Sequence, residues 1–109
     1  MSDSLAVVRV DREPHRVIVT VAGEVDMTNA SDLGRQIDEA ADGQHGVLFV
    51  DLGAVEFMDS QGVYLLAQFA QRPDVELVVV APPGCIAYEL IMVTDLAALV
   101  TVRNSLDGP

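Results

Sequence analysis

Val47-Leu48-Phe49-Val50-Asp51-Leu52-Gly53-Ala54-Val55-Glu56-Phe57-Met58-Asp59-Ser60-Gln61-Gly62-Val63-Tyr64-Leu65-Leu66 is the stretch on which the fold turns. A continuous apolar run passes through an acidic loop to a serine and then into a second apolar run, which reads as strand, loop, serine, helix. The first backbone N–H groups of a helix have no intrahelical partner and lie at the positive end of its dipole. The position of Ser60 therefore suits an N-cap and equally a phosphate.

Upstream, residues 5–10 and 16–22 are β-branched runs separated by Asp11-Arg12-Glu13-Pro14-His15, the pattern of an antiparallel hairpin, with Gly23 ending the second strand. After Glu24-Val25-Asp26-Met27, the residues Ala30, Leu33, Ile37 and Ala40/Ala41 recur at three- and four-residue steps. This predicts an amphipathic helix of about four turns, with Thr28 or Asn29 as N-cap and Gly43 as its stop. The run 47–50 is expected to be a central strand covered on both faces. Downstream, a helix is predicted from about Ser60 to Gln71, blocked by Pro73. Leu77-Val78-Val79-Val80 is a further core strand, broken by Pro82-Pro83-Gly84, and is followed by a short helix over 85–92, a last strand over 99–102 and a polar tail, 103–109. The order β-β-α-β-α-β-α-β specifies an α/β fold, a mixed, mostly parallel sheet with an N-terminal antiparallel hairpin and about three helices. One domain is expected over 1–109, with its core at about 5–102. Met27, Met58 and Met92 read as core filler, Met58 being partly exposed beside the serine.

Composition narrows the classes of function. At 109 residues the chain fits one domain, which buries roughly two-thirds of the surface of its unfolded form. Only 5% of residues are aromatic, so the core is built from Val, Leu, Ile, Ala and Met. The net charge of -11 repels phosphate backbones and anionic membranes, which argues against a nucleic-acid partner. Solubility or a basic protein partner accounts for it. Cys85 is the single cysteine, so no intrachain disulfide forms, and it reads as a buried structural thiol. With two scattered histidines, His15 and His45, a metal framework lacks ligands. The N-terminus has no basic start followed by an apolar segment, and no apolar run approaches the roughly 18 residues of a membrane span. A cytoplasmic location is the expectation.

Strands joined by a helical crossover run parallel, so Gly23-Glu24-Val25-Asp26 and Glu56-Phe57-Met58-Asp59-Ser60 should share the carboxyl edge of the sheet, where ligands of open α/β sheets bind. His15 and His45 fall at the opposite edge, a strand length of roughly 17–20 Å away. A serine nucleophile needs a base within hydrogen-bond reach, and Asp59-Ser60-Gln61-Gly62 lacks the glycine two residues before the serine that a nucleophile elbow requires. No catalytic residue is assigned. Gly53, Gly62 and Gly84 form no phosphate-binding fingerprint, so no cofactor is assigned. Glu24, Asp26, Glu56 and Asp59 read as solvated acidic loops more readily than as a cation site.

Together Gly23-Glu24-Val25-Asp26, Asp51-Leu52-Gly53 and Phe57-Met58-Asp59-Ser60-Gln61-Gly62 resemble the STAS domain family, and within it the bacterial anti-sigma factor antagonists. The resemblance covers nearly the whole chain. It implies that Ser60 is the acceptor phosphorylated by a partner anti-sigma factor, an ATP-dependent serine kinase. The unphosphorylated form would bind that kinase and free the sigma factor, a protein phosphatase would reset the switch, and the protein would be a monomer or weak dimer. It further implies a partner surface made of Glu24, Asp26, Thr28, Met58, Asp59, Gln61 and Gly62, with Gly62 allowing close approach at the first helical turn. Two departures stand out. Val93-Thr94-Asp95-Leu96 has Asp95 where the family often has glycine, which predicts a small local shift, and Gln61 stands where a second small residue is common. Four other readings stay open: a STAS scaffold of a stress-signalling assembly, the cytoplasmic STAS subunit of a lipid transporter, a hydrolase turning over an acyl substrate through Ser60, and Ser60 as helix cap only, worth about 1 kcal/mol.

Overall fold

The computed structural model describes residues 6–42 and 46–107. The expectations for Leu5, Gly43 and His45 lie outside the described residues. The elements in chain order are β1 (Ala6–Arg12), β2 (Arg16–Val25), α1 (Ala30–Ala41), β3 (Val47–Met58), α2 (Ser60–Ala70), β4 (Glu76–Val80), α3 (Ile86–Val93), a 3₁₀ turn (Asp95–Ala98) and β5 (Thr101–Arg103). They form a five-stranded sheet in the order β1-β2-β3-β4-β5. β1 pairs antiparallel with β2, and every later pair is parallel. The α/β class and the mixed sheet expected from the sequence are the ones observed.

The hairpin is closed by the Glu13 N–H donating to the Arg16 carbonyl at 2.9 Å, and β2 continues past Gly23 to Val25. Gly23 has φ 100°, a conformation open to glycine and strained for other residues. It lies where the β2–β3 register shifts, between Gly23 and Glu24, and a second shift lies between Thr20 and Ala22. Each places an extra residue in β3, which therefore spans 12 residues against the ten of β2, and β3 runs past Val50 because β2 stays paired with it as far as Val25. The extra residues also change the phase of the strand. Leu48, Val50 and Leu52 alternate into the main core, and beyond the bulges Val55 and Met58 return to that core at three-residue steps.

The main core joins Val17, Val19, Val21, Leu48, Val50, Leu77 and Val79 of the sheet to Leu33 and Ile37 of α1, Leu65, Leu66 and Phe69 of α2, and Ala87 and Ile91 of α3. All three helices therefore cover one face. Alternate residues Ile18, Phe49, Val78 and Val80 form a separate small cluster on the other face, against Val47 and Leu106. Leu48, Phe49 and Val50 are all buried, so the central strand is covered on both faces as expected, with helices on one face and the small cluster and Leu106 on the other. The guanidinium groups of Arg16 and Arg103 lie 5.1 and 5.6 Å from the Phe49 ring centroid. The polar tail folds back here, with Arg16 Nη1 donating to the Leu106 carbonyl at 3.3 Å.

Further corrections have local causes. Thr94 ends α3 in an extended conformation, and its Oγ1 accepts from the Leu96 N–H. Residues 95–98 then form the 3₁₀ turn, and β5 starts at Thr101 instead of residue 99. Asp95 needs no left-handed backbone, since no non-glycine residue among those described has positive φ. Cys85 is half-buried and caps α3, its Sγ accepting from the Tyr88 N–H at 3.4 Å. Met27 and Met92 are exposed, whereas Met58 is buried without the partial exposure expected of it.

Candidate functional site

The ends of β2 and β3 are neighbours: Val25 is in register with Met58, and the Asp59 N–H donates to the Val25 carbonyl at 3.2 Å. That bond ties Glu24-Val25-Asp26 to Asp59-Ser60 at the carboxyl edge, as strand polarity required. His15 lies in the exposed turn at the far end of β2. A ten-residue strand puts it ~30 Å away, so it supplies no base to Ser60.

The N-cap of α2 is Asp59. Its backbone is extended and its Oδ1 accepts from the Gln61 N–H at 2.9 Å. Ser60 is the first helical residue, which corrects its reading as the cap. It is exposed, and its hydroxyl has no hydrogen-bond partner among the described residues. A carboxylate accepts more strongly than a hydroxyl, and the extended backbone of residue 59 aims that carboxylate at the helix start. The serine oxygen is left without a structural duty.

Below this surface Gly62 is buried against Met58. A Cβ at residue 62 would stand 2.6 Å from Met58 Cγ and 3.1 Å from Sδ and Cε. Neither residue offers the partner surface expected of it. Together they set the height of the first turn of α2 above the sheet.

The β2–α1 loop is braced from within. Asn29 is buried, its Oδ1 accepting from the Asp26 N–H at 3.0 Å and its Nδ2 donating to the Glu24 carbonyl at 2.8 Å. It occupies the N-cap position of α1 without a side-chain bond to that helix. Asp26 Oδ1 accepts from the Thr28 N–H at 2.9 Å and from the Thr28 hydroxyl. These bonds, the hydroxyl first, hold the Asp26 carboxyl below its ordinary value. Glu24, Thr28 and Gln61 are exposed.

The sequence reading missed an apolar component of this edge. Met27, Tyr64 and Phe57 are 76%, 63% and 47% exposed. Met27, Gln61 and Tyr64 line a shallow groove between α1 and α2 with Ala30, Leu65 and Gln68. Tyr64 falls one position before the buried pair Leu65 and Leu66, an offset that its helical phase could have signalled.

Charge is segregated as well. The basic residues are six arginines, and among the described residues none forms an ion pair with Glu24, Asp26, Glu56 or Asp59. Those four acids do not gather into a group able to hold a metal ion, among the described residues. The edge offers an exposed hydroxyl, an unneutralised acidic rim and neighbouring apolar side chains, which suits protein recognition.

Residues 8–101 match the family described as Mlab, STAS domain. The chain is similar to the crystal structure of an anti-sigma factor antagonist from Mycobacterium paratuberculosis, with 29% identity and a TM-score of 0.83 over 98% of this chain and 93% of that one. It shares its fold with the anti-sigma factor antagonist SpoIIAA in its unphosphorylated form, at 15% identity and a TM-score of 0.67 over 91% of this chain and 90% of that one. It also shares its fold with an antisigma-factor antagonist, a STAS domain from Rhodobacter sphaeroides, at 18% identity and a TM-score of 0.61 over 72% of this chain and 89% of that one. No helix among the described residues is long and apolar enough to cross a membrane.

Proposed function

This chain belongs to the STAS domain family, and from that premise we propose that it is an anti-sigma factor antagonist, a binding module whose partner is an anti-sigma factor with serine kinase activity. The unmodified protein binds that partner through the carboxyl edge and so releases the sigma factor. Phosphorylation of Ser60 ends the binding, and a protein phosphatase restores it. In the transfer, the Ser60 oxygen bonds to the γ-phosphorus of ATP, the hydroxyl proton leaves with a base of the kinase, and ADP departs.

The observation that carries this reading is the division of labour between Asp59 and Ser60: the carboxylate caps the helix, so the exposed hydroxyl is free to be modified. In this reading the exposed Glu24, Thr28 and Gln61, together with the half-buried Asp26 and Asp59, contact the partner directly, while the buried Met58 and Gly62 act from beneath. A phosphate adds about -1.5 to -2 charges to a rim that already holds carboxylates without counter-ions. A partner carboxylate within about 5 Å would then be repelled by on the order of 3 kcal/mol per unit pair at an effective dielectric of about 20, near a hundredfold in affinity.

Peptide mapping after incubation with ATP and an extract of the source cells tests the reading. The expected result is one phosphate, on Ser60, and its absence in Ser60→Ala. Ser60→Ala should keep partner binding, and Ser60→Asp should weaken it. An aspartate variant that binds as tightly as the parent chain rules out the charge mechanism.

A further inference from the structure

We propose that the outer edge of β1 is a self-pairing surface, on which a second copy of this chain adds its own β1 antiparallel, in a register centred on Val10. This goes beyond the partner switch and does not depend on it.

β1 is an outer strand of the sheet, with β2 as its strand neighbour. The closing bond from the Glu13 N–H to the Arg16 carbonyl sets the phase of the hairpin. Because hydrogen-bonded pairs alternate along an antiparallel ladder, the residues that bond to β2 are Asp11, Arg9 and Val7, opposite Ile18, Thr20 and Ala22. The N–H and C=O groups of Val8, Val10 and Arg12 then point away from the sheet. Such a row is a template for another strand.

The side chains select the register. A self-paired antiparallel ladder must place outward-bonding residues opposite one another, which restricts the centre of symmetry to successive residues of β1. Centred on Arg9, the ladder stacks Arg9 on Arg9, and centred on Asp11 it stacks Asp11 on Asp11. Centred on Val10 it places Arg9 opposite the second copy's Asp11 twice and brings the two Val10 side chains together. Opposite charges directly across a ladder stabilise it and like charges destabilise it, so the middle register is the one selected. A shift of one residue to either side loses both favourable pairs and adds a repulsive one.

The present contacts leave these groups available. Arg9 Nε bonds Asp11 Oδ2 of its own chain at 3.1 Å, but the two side chains are 74% and 49% exposed, and exposed pairs exchange partners at little cost. Val10 is 39% exposed on the side of α1, near Gln36 and Ala40. The Arg12 guanidinium turns inward to the Ala40 carbonyl at 3.0 Å, and Arg12 is exposed.

Sedimentation velocity over a concentration series, at an ionic strength near physiological, provides the test. The parent chain should show a concentration-dependent dimer. R9D leaves carboxylates at both 9 and 11, and D11R leaves guanidinium groups at both. Each variant alone should dimerise about tenfold more weakly or worse, and an equal mixture should recover the parent level, because every cross-pair is then complementary. V10P removes an outward N–H that β2 does not use, and should be monomeric with an unchanged circular dichroism spectrum. A parent chain that stays monomeric throughout overturns the proposal, and so does a mixture no more dimeric than its components. That mixing result decides the matter even if V10P proves unstable, since both charge variants break the internal Arg9–Asp11 pair alike.

Discussion

Gly62 lies against Met58 so closely that a Cβ on residue 62 would stand 2.6 Å from Met58 Cγ. Met58 is the buried last residue of β3 and Gly62 the buried third residue of α2, so this contact sets the spacing between sheet and helix beneath Ser60. Gly62→Ala gains about 1 kcal/mol of helix propensity, against about 1–3 kcal/mol for overpacking a buried side chain. Three Met58 atoms lie within 3.1 Å of the added carbon, so the overpacking outweighs the gain. A net loss of about 1 kcal/mol is expected in urea unfolding. Gly34→Ala meets only the tip of Leu65, at 2.7 Å from Cδ1, which can rotate, so it should be close to neutral.

Asp59 and Ser60 should separate structure from modification. Asp59→Ala removes the N-cap bond to Gln61 and should cost about 1 kcal/mol. Ser60→Ala removes a hydroxyl without a partner among the described residues and should change stability by less than about 0.5 kcal/mol. Thermal unfolding of both variants tests the assignment, and equal losses would return the cap to the serine.

Asn29→Ala should be among the costlier polar substitutions. It strips partners from the Asp26 N–H and the Glu24 carbonyl at a buried position, for a loss of about 1–3 kcal/mol. Chemical-shift changes should concentrate in 24–29 and pass to Asp59 through its bond to Val25.

The Asp26 carboxyl predicts an acid-side effect. Its folded pKa is depressed, chiefly by the Thr28 hydroxyl, from an ordinary value of 3.8. The stabilisation from its ionised form is therefore complete above that value and lost as pH falls through the lower folded one. Thr28→Val should raise the Asp26 pKa towards 3.8, read by carboxyl NMR titration. An unmoved titration would assign the shift to the backbone N–H groups instead.

Leu106 predicts that the tail contributes to stability. It is half-buried against the cluster of Ile18, Phe49, Val78 and Val80. Leu106→Ala should cost about 1 kcal/mol, half the value of a fully buried leucine. Truncation before residue 104 should cost at least as much, with increased binding of an apolar dye.

Much of this fold was legible because it is written in local periods. The three- and four-residue recurrence of Ala30, Leu33 and Ile37 located α1, and the runs at 47–50 and 77–80 located the central strands. Strand polarity then brought Asp26 and Ser60 to one edge without any knowledge of contacts. The exposure of Met27, the burial of Met58 and the return of Leu106 were not legible, because a side chain's surroundings depend on elements distant in sequence.

By itself, then, the sequence determined the order of elements, the acidic character of the chain and the serine at the start of α2, since each follows from composition or from hydrogen bonds between near neighbours. Only the tertiary structure decided that β3 carries extra residues through two register shifts against β2, that among the described residues one sheet face lacks helices, and that Asp59 is tied to Val25 of β2 at the start of α2. The physical reason is that strand register and burial are settled between segments, by which backbone groups and side chains meet across the sheet, and no local period records that meeting.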